Sequence, residues 1–253
     1  MSSTVKVRNL VIGSGHPKVC VPIMGRTIQE LVSDATAALK KKPDMIEWRA
    51  DYFEDVRKSE SVKEAAGKIR AVLGEIPVIF TVRTQREGGK ADFTAEEYLK
   101  TVAEAIDTVE MDLVDVEISH GDDISFMLIS QAHTKGVKVI ASSHDFQKTP
   151  KKEEIIMRLC KMQELEADIP KMAVMPRSER DVLVLLDATL SMKELHGETP
   201  VITMSMGKMG GVSRLAGQVF GSAVTFGTAG EASAPGQMDA EKLREVLELI
   251  DWQ

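Results

Sequence analysis

Lys138-Val139-Ile140-Ala141-Ser142-Ser143 and Ile169-Pro170-Lys171-Met172-Ala173-Val174 are two apolar, strand-like runs, and between them lies an amphipathic stretch at 151–165. A short strand, a segment of helical period and a second short strand make a βα unit on a parallel sheet. Outward from this stretch the same alternation continues. Strands are predicted at 18–24, 45–49, 78–84, 113–117, 138–143, 169–174, 201–205 and 223–226. Helices are predicted at 27–42, 60–73, 94–109, 122–135, 151–165, 178–195, 212–220 and 239–250. Eight repeats of one unit point to an α/β fold of the closed (β/α)8, or TIM, barrel type. The run at 5–12 falls outside the count and is expected to be an extra strand segment closing the N-terminal end of the barrel. No repeat, low-complexity tract or linker divides the chain, so residues 1–253 read as a single barrel domain.

Local signals agree with these boundaries. Thr27-x-x-Glu30 and Thr94-x-x-Glu97 read as capping boxes, Pro150 as the first position of a helix, and Gly136 as a helix stop. Length and composition are compatible: 253 residues, 43% apolar and 28% charged. The net charge of −7, without a basic stripe, argues against nucleic acid as a partner and requires that an anionic substrate meet locally grouped cations. No apolar run approaches the roughly 18 residues of a membrane span, and the opening residues lack the apolar stretch of a secretory signal, so a cytoplasmic protein is expected. The cysteines, Cys20 and Cys160, lie in apolar-periodic segments and read as buried free thiols.

In a barrel of this kind the reactive groups stand at the C-terminal ends of the strands. Glu47 and Arg49 are two apart on one strand and share a face, either as a structural ion pair or as part of a site. Arg83 ends the third strand, and Glu87 follows in the turn Arg86-Glu87-Gly88-Gly89. His144 stands at the rim after the fifth strand, where an imidazole suits proton transfer and Glu87 can orient it; a structural histidine is the plainer alternative. Lys171 lies in an apolar strand. It is paired with a carboxylate, or has a depressed pKa that makes it a nucleophile toward carbonyls, or reaches solvent. Glycine-rich loops follow the seventh strand (206–214) and the eighth (232–237), and Arg214 in the first of them suits a carboxylate or a phosphate. His120, Asp122 and Asp123 lack metal-site spacing, and helix capping fits the two acids better.

Glu47-Trp48-Arg49, Arg83 with Glu87-Gly88-Gly89, His144-Asp145-Phe146, Lys171-Met172-Ala173, Met206-Gly207 leading to Ser213-Arg214, and 232–237 stand in an order that resembles the type I 3-dehydroquinate dehydratases. The resemblance spans most of the chain. It implies a lyase of the shikimate pathway acting in the third step of chorismate and aromatic amino acid biosynthesis. The reaction would be a syn elimination of water from 3-dehydroquinate to 3-dehydroshikimate through a lysine Schiff base. It also implies a homodimer, no metal or coenzyme, and a monofunctional chain. By position, Lys171 would form the imine, His144 would shuttle protons and Glu87 would support it. Glu47, Arg49, Arg83 and Arg214 would bind substrate, and Ser233 and Gln237 would belong to a closing loop. Ser143 departs from the larger residue expected before the histidine, which bears on substrate-loop packing.

The rival readings are a class I aldolase, which would also use a strand lysine, a phosphosugar isomerase suggested by the glycine-rich loops, and a barrel serving as a scaffold. Ionisable residues gathered at one rim fit the last poorly.

Overall fold

The computed structural model describes residues 4–250. Its centre is a parallel sheet of eight strands: β3 (Lys18–Ile23), β4 (Met45–Arg49), β5 (Val78–Thr81), β6 (Leu113–Glu117), β7 (Lys138–Asp145), β8 (Ile169–Val174), β9 (Ile202–Ser205) and β10 (Val224–Thr228). From β3 to β9 each strand pairs with the next in chain order, and β10 returns to β3 through Val224↔Lys18, so the sheet curls into the expected barrel. The seam between β9 and β10 carries one bridge, Val201↔Ser222, reinforced where the Ser222 hydroxyl accepts from the Thr203 amide at 3.0 Å. A two-residue strand, β11 (Met238–Asp239), pairs with β10 on the side away from β3. It fills the seam at the barrel mouth.

The helices on the outside are α1 (Ile28–Leu39), α2 (Ser59–Leu73), α3 (Ala95–Thr108), α4 (Asp122–Thr134), α5 (Lys152–Glu164), α6 (Glu179–Ser191), the short α7 (Gly211–Leu215) and α8 (Gly217–Phe220), and α9 (Ala240–Leu249). The predicted helix at 212–220 is thus two pieces. Gly217 lies against the barrel wall, where a Cβ would stand 2.9 Å from the Ser222 carbonyl oxygen, and the chain turns there. The helix predicted to reach 195 ends at Ser191 and continues as one π-turn, Met192–His196. Thr94 and Glu97 form a complete capping box. Thr27 caps α1, but Glu30 reaches the Arg26 amide instead of that of Thr27. Pro150 precedes its helix, since the N-cap is Lys151. Asp122 and Asp123 occupy the first turn of α4, where they face the helix dipole without capping it. Gly136 stops α4 at φ 74°. Cys20 is buried and Cys160 partly exposed. No described helix is long and apolar enough to cross a membrane.

Two cores result from strands buried on both faces. Outward residues such as Val21, Trp48, Phe80, Val116, Val139 and Met172 pack under the helices. Inward residues at the start of the strands, among them Met45, Ile79, Leu113, Ile140, Ile169, Ile202 and Val224, form a second cluster inside the barrel bottom. The N-terminal segment is not one strand but a hairpin, β1 (Val5–Val7) and β2 (Leu10–Ile12). Val5, Val7 and Ile12 plug this inner cluster from below. Arg8, at the hairpin turn with φ 51°, ties it to Asp112 before β6. Ile12 is fully buried there. Ile12→Ala should therefore cost about 2 to 5 kcal/mol of stability, from lost transfer energy and the cavity left behind. Urea unfolding measures it, and a cost under 1 kcal/mol would mean the hairpin does not plug the barrel.

Candidate active site

Strand alternation turns the inner cluster from apolar to ionic on the way up. One pleat above Met45, Leu113 and Ile169 stand Glu47, Asp115 and Lys171, and one further pleat brings Arg49, Glu117 and Ala173. The parallel register places these side chains at the C-terminal end of the barrel, where the helices do not cover them.

Lys171 is 3% exposed, and its Nζ stands 3.3 Å from Glu47 Oε1 and 3.2 Å from Asp115 Oδ2, with the Phe226 ring centroid 4.7 Å away. Of the alternatives open in the sequence, carboxylate pairing is what the geometry shows, with two partners. Arg83 connects this lysine to the rest of the site. Its Nη2 lies 2.9 Å from Asp115, and its Nη1 lies 2.8 Å from Glu117 and 3.5 Å from Glu87. The Ser142 hydroxyl donates to Asp115 at 2.6 Å. Burial opposes ionisation of Asp115, but Arg83 and Lys171 outweigh it, so this carboxyl lies below the usual range. Glu117 is held further by the Thr84 amide and hydroxyl at 2.9 and 2.7 Å.

Glu87 and His144 form the second half. Glu87 Oε2 accepts from the His144 amide at 3.1 Å and meets its ring Nδ1 at 2.8 Å. Burial, then the neighbouring Glu117 charge, push Glu87 up to about 8. Burial, then Arg83, Lys171 and Arg49, hold His144 well below an ordinary imidazole. Glu87 thus engages the ring through Nδ1, and Nε2 is the ring nitrogen turned away from this carboxyl. Gly88 makes this turn possible. Its φ is 80°, and a Cβ there would fall 2.4 Å from the Phe146 ring.

Arg49 is fixed by a fork to Asp51, at 2.8 and 2.9 Å, and its third nitrogen faces the Ser233 carbonyl at 3.5 Å. Ser233 and Gln237 bond each other across the loop that follows β10: the Ser233 amide donates to Gln237 Oε1 at 2.8 Å and Gln237 Nε2 donates to the Ser233 hydroxyl at 2.9 Å. The loop sits on the mouth. Pro235 accepts from the Gly207 amide at 3.1 Å and from Arg214 at 3.2 Å, and Gly236 lies so close that a Cβ would meet the Gly207 carbonyl at 2.2 Å.

Eight of the nine candidate residues, Glu47, Arg49, Arg83, Glu87, His144, Lys171, Ser233 and Gln237, line one cavity of about 40 Å³, room for a few waters. Arg214 stands behind it, against Met204 Sδ and the Pro235 carbonyl, and among the described residues no carboxylate pairs with it. Burial alone brings its guanidinium down to about 10. Ser143 faces outward, 3.5 Å from Arg158, because its neighbour His144 faces in; the substitution there does not touch the cavity. Three participants were not among the candidates: Asp51, Asp115 and Glu117. The last two were readable, since Asp115-x-Glu117 in an apolar strand repeats the period-two signal of Glu47-x-Arg49. His120 approaches Glu117 at 3.2 Å and stacks on Tyr98. Among the described residues no group of three or more His, Cys, Asp or Glu side chains is arranged to hold a metal ion.

A lysine set among carboxylates on the sixth barrel strand, faced by an imidazole–carboxyl pair under a loop, defines a barrel enzyme built to work on a polar, anionic small molecule. Residues 19–252 match the type I 3-dehydroquinase family. The 3-dehydroquinate dehydratase of Syntrophotalea carbinolica is 53% identical over 99% of both chains. A crystal structure of the Clostridium difficile type I 3-dehydroquinate dehydratase with covalently modified comenic acid superposes with a TM-score of 0.96 at 48% identity, covering 99% of this chain and 98% of that one. The 3-dehydroquinate dehydratase of Geobacillus kaustophilus gives 0.94 at 38% identity, with coverage of 99% and 98%. The chain belongs to the type I 3-dehydroquinase family.

The Glu87 shift has a consequence for stability. A carboxyl at about 8 in the folded chain, against 4.5 when free, leaves the folded state with more bound protons across that window. Stability from this group is full below 4.5 and lost as pH rises through about 8. His144, shifted down, contributes the opposite slope below the ordinary imidazole range, so the contrast with Glu87→Gln isolates the carboxyl. The urea midpoint of the unmutated chain should fall relative to that of Glu87→Gln between pH 5 and 8, and parallel curves would contradict the assignment.

Proposed function

We propose that the chain dehydrates 3-dehydroquinate to 3-dehydroshikimate by syn elimination through an imine on Lys171, as a single barrel domain acting in the third step of the shikimate pathway. The observation that carries this is Lys171 Nζ, set between two carboxylates at a cavity that His144, on the neighbouring strand, also lines. A β-hydroxy ketone loses water slowly because its α-carbon is a weak acid and hydroxide is a poor leaving group. An iminium gives the α-carbanion an electron sink. With Glu87 ionised, Nδ1 of His144 keeps its hydrogen and Nε2 takes the α-proton, then returns a proton to the departing hydroxyl. Water finally hydrolyses the product imine and frees the lysine.

The remaining residues bind. Arg49, oriented by Asp51, and Glu47 face the substrate's hydroxyls; Arg83 holds Asp115 and Glu117 below the usual carboxylate range and faces the substrate from the same wall. Arg214 takes the substrate carboxylate, exchanging the Pro235 carbonyl for a full negative charge, which suits a buried guanidinium that no carboxylate among the described residues pairs with. The cavity does not hold a ring acid of this kind while the 229–237 loop is down, so the loop opens to admit substrate and closes through Ser233 and Gln237. Closure keeps water from the imine. The same reading makes the protein a cytoplasmic homodimer, which light scattering tests by a mass twice that of the chain.

Mixed with 3-dehydroquinate, the protein should produce the ultraviolet absorbance of the conjugated enone, and borohydride should fix the ligand's mass on the Lys171 peptide. In His144→Ala the adduct should still form while turnover drops by roughly two orders of magnitude or more. Turnover with Lys171 never modified would remove the imine. For the loop, hydrogen exchange at 229–237 should slow when substrate is present; identical exchange in both conditions would rule out closure.

A further inference from the structure

Lys171 faces two carboxylates at nearly equal distance, and they are held very differently. Apart from the lysine, Glu47 Oε1 accepts one hydrogen bond, from the Thr81 hydroxyl at 3.1 Å, and its side chain lines the cavity. Asp115 stands outside the cavity lining at 1% exposure. Arg83 Nη2 holds one of its oxygens at 2.9 Å and the Ser142 hydroxyl holds the other at 2.6 Å. Turning Asp115 away would break both bonds and strand a charge inside the barrel. Turning Glu47 breaks one.

The chemistry makes this difference matter. An ammonium carries three N–H donors, enough for both carboxylates. When Nζ joins a carbonyl carbon, ammonium and ketone become iminium and water. The positive charge is conserved, the carbonyl oxygen leaves with two of the nitrogen's hydrogens, and a single N–H remains. Only one carboxylate keeps its hydrogen bond.

Resting on the imine reading above, we infer that Asp115 is that carboxylate: a positioning residue that retains the Lys171 nitrogen from ammonium through iminium, while Glu47 is released to the substrate's hydroxyls. The nitrogen then stays seated against a fixed counter-charge during proton removal, and Glu47 binds only when the imine has formed.

The test compares the unmutated chain, Asp115→Asn and Glu47→Gln with 3-dehydroquinate. It measures kcat, KM and the fraction of Lys171 peptide fixed by borohydride at saturating substrate. Asparagine keeps an acceptor for Arg83 and removes the charge beside the nitrogen. Asp115→Asn should lower kcat by about 30-fold or more with KM within about threefold, and the fixed fraction should fall with it. Glu47→Gln should raise KM by about tenfold and leave the fixed fraction near that of the unmutated chain. A purely structural Asp115 would not separate the two variants in this way. Ser142→Ala, which frees one side of Asp115, should move kcat and adduct in the same direction by a smaller factor, and it decides the matter if Asp115→Asn does not fold. Unchanged kcat and adduct in these variants, or a change confined to KM, would overturn the role of Asp115. If the unmutated chain itself gives no adduct, the imine reading falls first, and this inference with it.

Discussion

Arg83 lies at the centre of the barrel mouth with three carboxylates converging on it, and the rest of the site takes its positions from that meeting. A guanidinium this deeply buried is tolerable only when its donors are filled, and carboxylates this deep only when a cation answers them. The fork geometry of arginine then does something a lysine could not. Its two terminal nitrogens point in different directions, one to Asp115 and one to Glu117 and Glu87. Asp115 touches the lysine, and Glu87 touches the imidazole. The two halves of the proposed chemistry are thus registered against one planar group, and a displacement of either is felt by the other.

Such a network demands a rigid surround, and the barrel supplies it by dividing labour along each strand. The lower inward residues are aliphatic and interlock with the hairpin plug, so cohesion is concentrated below. The upper inward residues of β4 to β8 are mostly ionic and contribute selectivity of position, while Met204, Met206 and Phe226 keep the far side of the mouth apolar. The loop between β10 and β11 is the part that the proposed mechanism asks to move. It is held down by a few polar contacts to Gly207, Arg214 and Arg49, all of which a charged ligand can replace.

Much of this was legible in one dimension because the governing signals are local. Short apolar strands alternating with amphipathic helices reveal the barrel, and a lysine inside an apolar strand is conspicuous wherever the strand lies. Lys171 stands out that way; His144 and Glu87 stand out only by their places after strand ends and through the family resemblance. Asp115 and Glu117 carried the same signal, but acids two apart in a strand have no meaning until a cation is known to lie opposite, and Arg83 sits some thirty residues before them. The bend between α7 and α8 escaped notice for a similar reason: Gly217 turns because of Ser222 and Pro17, which pack against it only in the folded barrel. The orientation of Ser143 followed from simple alternation and was available from the start.

The pairing of β3 with β10 joins residues roughly 200 positions apart, Lys18 with Val224. At translation rates of about 5 to 20 residues per second, the first barrel strand waits roughly 10 to 40 seconds on the ribosome before its second neighbour exists. During that interval β3 has one open edge, and an exposed parallel strand of β-branched residues invites foreign pairing. The hairpin made from residues 5–12 pairs locally, but its apolar face finds its partners only in the strands that follow. The plug and the bare edge beside it thus wait for the same event, since β10, the last of the eight barrel strands, both covers β3 and completes the inner cluster that the hairpin closes.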